Sequence, residues 1–153
     1  MHTTDYELLL EQAKAITAGE PDLIANLSNL SALVYETLEN VNWVGFYVTR
    51  EPETLVLGPF QGKVACLRIP FGRGVCGTAA ATRETQSVVD VHDFDGHIAC
   101  DAASNSEVVV PLIVDGNVVG VFDLDSPSVG RFSQDDADGL TKLGRFIEQL
   151  NWR

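Results

Sequence analysis

The chain has 153 residues, 45% of them hydrophobic and 21% charged, which suits one soluble domain with a core of its own. Its 22 acidic against 10 basic residues give a formal net charge of −12, which excludes a phosphate-neutralising nucleic-acid surface and disfavours anionic membranes. No apolar run approaches bilayer length, and the N-terminus carries acidic residues where a secretory signal carries basic ones, so a cytoplasmic protein is expected.

Residues 5–18 read as a first helix, ended near Gly19. A second follows Pro21, whose fixed φ suits a helix start; Leu23, Leu27, Leu30, Val34 and Leu38 form one apolar stripe along it. From Asn42 the apolar period changes to two, and strands are predicted over 42–49, 54–58, 63–69, 86–90, 107–114 and 118–125. Asp115-Gly116-Asn117 between two Val-rich runs predicts a hairpin turn. Residues 75–84 read as a short helix. The last helix starts after Ser133 as N-cap, with Leu140, Leu143, Ile147 and Leu150 as its stripe. No repeat, low-complexity tract or linker interrupts the chain. Helices at both ends of a mostly antiparallel six-stranded sheet make a single α+β domain over residues 1–153.

Strand alternation sorts the side chains. In 42–49, Trp43, Gly45 and Tyr47 share one face, and Val44, Phe46 and Val48 the other. In 118–125, Asp123 and Asp125 share a face with Val119 and Val121, opposite Phe122 and Leu124. The purely apolar faces are expected against the terminal helices. The opposite side of the sheet then gathers two aromatics and two carboxylates, with Glu107 at the start of the neighbouring strand, and reads as a pocket.

Three cysteines, Cys66, Cys76 and Cys100, contain no CxxC pair, and their odd count does not form a closed disulfide framework. Cys66 falls on the predicted strand 63–69, Cys76 in the Gly-rich GRGVCGTAA, and Cys100 in a polar loop. A helix opening near Cys76 would lower its thiol pKa through the dipole, and on local physics alone Cys76 is the preferred nucleophile. His92, His97 and Cys100 do not follow a standard zinc spacing. GRGVCG lacks the Lys-Ser/Thr of a phosphate loop. The polar segment 91–105 suits a lid carrying Cys100, and equally an ordinary surface loop.

In order, NWVGFY, GPFQGKVACLRI, FGRGVCGTAA, HIACDAASNSE followed by VVVP, and GVFDLDSP resemble the motifs of the free methionine-(R)-sulfoxide reductases. The resemblance runs from about Asn26 to Phe146 and places every cysteine in a matching motif. It implies a stand-alone GAF fold, with the terminal helices on one face of the sheet and a ligand pocket on the other. It also implies reduction of free L-methionine (R)-sulfoxide, with thioredoxin as reductant, in a homodimer without bound metal, flavin or haem. Cys100 is then the attacking cysteine, Cys66 the main resolving one, and Cys76 an auxiliary thiol able to pair with Cys100. Trp43 and Tyr47 line the site, and Glu107, Asp123 and Asp125 contact substrate. Within that scheme Asp123 is expected to bind the substrate ammonium, and Glu107 or Asp125 to protonate the sulfoxide oxygen. Two other classes fit the same composition: a ligand-binding GAF sensor without catalysis, and a thiol-based oxidant sensor without a small substrate.

Overall fold

The computed structural model describes residues 3–96 and 103–153. Asp5 caps α1 (Tyr6–Thr17) by accepting a hydrogen bond from Leu8 N at 3.0 Å, and Asp22, just after Pro21, caps α2 (Leu23–Thr37) by accepting from Ala25 N at 2.9 Å. The strands are β1 (Trp43–Glu51), β2 (Thr54–Gly62), β3 (Arg68–Pro70), β4 (Gln86–Val88), β5 (Ser106–Val114) and β6 (Asn117–Ser126). They form one sheet in the order β3-β2-β1-β6-β5-β4, antiparallel at every pair. Helix α3 (Gly74–Thr82) links β3 to β4, and α4 (Gln134–Ile147) closes the fold. The β5–β6 turn puts Asp115 at φ 53° and Gly116 at φ 80°, the paired left-handed geometry that matches strand twist in a two-residue hairpin.

Each sheet face packs as the alternation in β1 predicts. Val44, Phe46, Val108, Val110, Leu112, Phe122 and Leu124 join Leu9, Leu27, Leu30, Val34, Leu140, Leu143 and Ile147 in one core under α1, α2 and α4. Phe46 stacks on Phe122 across the β1–β6 pair, ring centres 4.9 Å apart. Trp43, Tyr47, Val109 and Val121 face the other way, with Val75, Cys76 and Ala79 of α3.

Three sequence readings need correction. Val119 does not share the face of Val121: it packs toward α1, α2 and α4, and Val118 takes its place on the α3 side. The cause is a bulge, because Leu112 pairs with Gly120 and Ile113 with Val118, leaving Val119 unopposed. The strand expected over 54–58 runs on to Gly62, since a second bulge sets Gly58 and Pro59 against Phe46, a position that tolerates the missing proline N–H. The strand expected over 63–69 is only Arg68–Pro70.

Helix α4 is anchored by Asp136. Its Oδ1 accepts from Tyr6 Oη at 2.6 Å, and its Oδ2 accepts from Ser133 N at 2.9 Å and stands 3.2 Å from Arg131 Nη1. Ser133 Oγ accepts from Asp136 N in return, completing a capping box. Burial opposes ionisation of Asp136, but these hydrogen bonds and the Arg131 charge outweigh it and hold the carboxyl below its ordinary value. Asp136→Asn leaves a buried arginine unpaired and is expected to cost about 3 kcal/mol in urea unfolding at neutral pH. Because the folded pKa is depressed, that difference is full above the ordinary carboxylate value of about 4 and fades as pH falls through the folded value. A difference that persists unchanged in acid refutes the ionic role.

Candidate active site

The sheet register assembles the acidic residues. Asp125 of β6 lies between Trp43 of β1 and Glu107 of β5, and Asp123, one step along the same face, lies between Gly45 and Val109. Glu107, Asp123 and Asp125 are each less than a tenth exposed. Three carboxyls on one buried face interact through little water. Burial first, then the Asp123 charge, pushes the Glu107 carboxyl well up; burial first, then the Asp125 charge, does the same to Asp123. Glu107 and Asp123 therefore hold protons more readily than exposed carboxylates do. One oxygen stands out: buried Asp123 Oδ1 receives no hydrogen bond among the described residues.

Helix α3 delivers Cys76 onto this cluster. Its Sγ stands 3.3 Å from Asp123 Oδ2 and 3.8 Å from Glu107 Oε2. The Gly-rich motif serves packing. A Cβ on Gly77 would come within 2.5 Å of Pro70 O, so only glycine lets α3 press this closely against β3. Cys76 does sit in the first turn of α3, as the sequence suggests, but its thiol is pushed up, not down. Burial is the main cause, followed by Asp123, Glu107 and Asp125. A helix terminus contributes about 0.3–1 kcal/mol, whereas one charge at 4 Å contributes about 4 kcal/mol at an effective dielectric of 20. The dipole loses, and Cys76 is no activated nucleophile.

Trp43 and Tyr47 lie on the same face and do more than line it. Trp43 stacks on Tyr47 at 5.9 Å and on Phe60 at 5.1 Å between ring centres. Trp43 Nε1 donates to Lys63 O at 3.1 Å and Tyr47 Oη donates to Cys66 O at 2.9 Å. Burial and the nearby Asp123 charge keep the Tyr47 phenol protonated, hence a donor. The two aromatics thus pin the β2–β3 connection, and Cys66 sits in that connection, not on a strand. Cys66 is half-buried and disulfide-bonded, and Cys76 is the free thiol among the described residues. Phe60 escaped the sequence reading because the expected strand stopped at residue 58; the alternation beyond the bulge was its signal.

Cys100, His97 and the middle of the segment 91–105 lie outside the described residues. At the start of that segment Val91–Asp93 is a 3₁₀ turn, and His92 Nδ1 pairs with Asp90 Oδ1 at 2.9 Å. Among the described residues, donor atoms of Cys76, Glu107 and Asp123 lie within 4.8 Å of one another, a spacing compatible with a cation. No helix there is long and apolar enough to cross a membrane.

Comparison with known proteins identifies relatives of the whole chain. Residues 25–150 match the model of the GAF domain. The chain is similar to a free methionine-R-sulfoxide reductase of Escherichia coli, 55% identical over 97% of this chain and 89% of the relative. It is also similar to the fRMsr of Staphylococcus aureus solved in complex with substrate, with a TM-score of 0.92 and 48% identity over 99% of this chain and 98% of the other. The substrate complex of the free methionine-R-sulfoxide reductase from Neisseria meningitidis superposes with a TM-score of 0.91, at 43% identity over 97% and 95% of the two chains.

Proposed function

From the premise that this chain belongs to the free methionine-R-sulfoxide reductase family and has its GAF fold, we propose that it reduces free L-methionine (R)-sulfoxide to L-methionine and so limits oxidative damage. The observation that carries the reading is the buried Asp123 carboxylate, whose Oδ1 has no donor among the described residues, on the face shared with Trp43 and Tyr47. A free amino acid brings an ammonium for that oxygen and an apolar methylthio group for the aromatic wall; a methionine inside a protein has no such cation.

The chemistry balances with thiols alone. The Cys100 thiolate attacks the sulfoxide sulfur and a carboxyl donates a proton to the oxygen. Methionine leaves, and the oxygen remains on Cys100 as a sulfenic acid. A second thiol, Cys66, condenses with it, releasing water and forming a disulfide. An external dithiol, which we take to be thioredoxin, restores both thiols and is itself oxidised. The disulfide-bonded state of Cys66 supports its resolving role, and Cys76 is an auxiliary partner for Cys100. The raised Glu107 carboxyl fits the proton donor, with Asp125 the alternative, and Asp123 holds the ammonium. We further propose that residues 1–153 act as one GAF domain, in the cytoplasm, as a homodimer.

Separated free (R)- and (S)-sulfoxides test this directly. Reduced protein is expected to form methionine from the (R) isomer only. No methionine from either isomer would favour a ligand-binding sensor, and turnover of both would remove the proposed stereochemical fit.

A further inference from the structure

The donor geometry around Cys76 has a meaning beyond substrate binding. A tetrahedral zinc ion with bonds of about 2.3 Å to sulfur and 2.0–2.2 Å to oxygen holds those ligand atoms roughly 3.5 Å apart. Cys76 Sγ stands 3.3 Å from Asp123 Oδ2 and 3.8 Å from Glu107 Oε2, on either side of that value. All three residues are buried, so the protein holds the donors near coordinating distance by packing. A second observation points to a ligand here: Asp123 is only 4% exposed, and its Oδ1 has no hydrogen-bond donor among the described residues. Sulfur in the donor set disfavours magnesium and calcium, which take oxygen ligands, and favours a softer divalent ion.

We propose that Cys76, Glu107 and Asp123 form a three-ligand site for a thiophilic divalent cation such as Zn²⁺, and that this cation and free methionine sulfoxide exclude one another. On binding, the Cys76 thiol proton and any proton held on Glu107 or Asp123 pass to solvent as the metal–ligand bonds form, and no electron is transferred. The ion takes the Asp123 carboxylate that the substrate ammonium needs and engages the Glu107 carboxyl that faces the reaction. The exclusion rests on the reductase reading; the cation site does not. Zinc at this position would couple the enzyme to the free-zinc level, as a reversible inhibitor.

Co²⁺ is the probe, because thiolate ligation gives cobalt a charge-transfer band in the near ultraviolet. A Cys66→Ser, Cys100→Ser double variant leaves Cys76 as the sole thiol of the three cysteines in the chain. It is expected to bind one Co²⁺ per chain with that band. Adding Cys76→Ala should remove the band, and adding Glu107→Gln or Asp123→Asn should weaken binding at least about tenfold. Circular dichroism checks that each variant is folded. Cobalt bound without the band, or binding by folded protein indifferent to these substitutions, overturns the site. Free methionine (R)-sulfoxide added to the cobalt-loaded double variant should bleach the band, since that protein cannot consume it. A band that resists saturating sulfoxide overturns the exclusion. Wild-type turnover reports separately on the reductase reading, so a strong band in an inactive protein leaves the cation site standing.

Discussion

Cys100→Ser is expected to abolish methionine release in a single turnover of the reduced protein, a fall of about 10⁴-fold or more. Cys66→Ser should release its first methionine and then turn over slowly through the auxiliary Cys76, whereas a Cys66→Ser, Cys76→Ser double variant should release one methionine per chain and stop, with a sulfenic acid on Cys100 trapped by dimedone. Cys76→Ser should keep its first methionine within about tenfold of wild type. The outcome for Cys100 follows from the family assignment, and those for Cys76 and Cys66 from their environments. Cys76 is buried against Asp123 and Glu107, and burial with that negative charge keeps its proton on. A thiol in that state is a poor nucleophile. Cys66 lies half-buried in a connection pinned by Trp43 and Tyr47 through backbone carbonyls, where it can meet another thiol without disturbing the sheet. Quenched-flow measurement of methionine settles the order. If Cys76→Ser removed the first methionine while Cys100→Ser retained it, the assignment of roles would be wrong.

What the sequence made readable is what depends on near neighbours. Alternation in β1 separated Trp43 and Tyr47 from Val44 and Phe46, and Asp115-Gly116 marked the hairpin that joins β5 to β6. The shared face of Asp123 and Asp125 was within reach of alternation, but the turn's own register would pair Glu107 with Leu124, and it is the bulge at Val119 that sets Glu107 opposite Asp125. What stayed hidden depends on distant contacts. The apolar run around Cys66 has strand composition, yet Leu57 N donates to Leu67 O, and β3 pairs only from Arg68. Cys76 was misjudged because the burial that raises its thiol comes from tertiary packing, and the carboxylates that add to it lie 31 and 47 residues further along the chain. Val119 changed face through a bulge that period-two reasoning has no means to see. Cys100 and its motif were assigned by resemblance, and that assignment stands as part of the proposed chemistry.

Asp123→Asn is expected to reduce kcat/KM for free methionine (R)-sulfoxide by about 100-fold, chiefly through KM, while making the ligand-free protein more stable. Truncating one partner of a buried charge pair costs roughly 2–5 kcal/mol in binding, and about 3 kcal/mol corresponds to two decades. Without ligand the balance reverses. Asp123 is buried beside Asp125 and Glu107, with Oδ1 lacking a donor among the described residues, so its charge is opposed both by burial and by its neighbours. An amide of the same shape removes that charge and offers Glu107 two N–H donors. A gain of about 1 kcal/mol in thermal unfolding is therefore expected, the usual sign of a residue kept for function at the expense of stability. Substrate choice supplies the readout that a merely structural role would not move. N-acetylmethionine (R)-sulfoxide carries no ammonium, so wild type should prefer the free amino acid by roughly the same two decades. In Asp123→Asn that preference should collapse to near unity. A variant that loses activity yet keeps the full preference would show that another group recognises the ammonium and that Asp123 merely shapes the site.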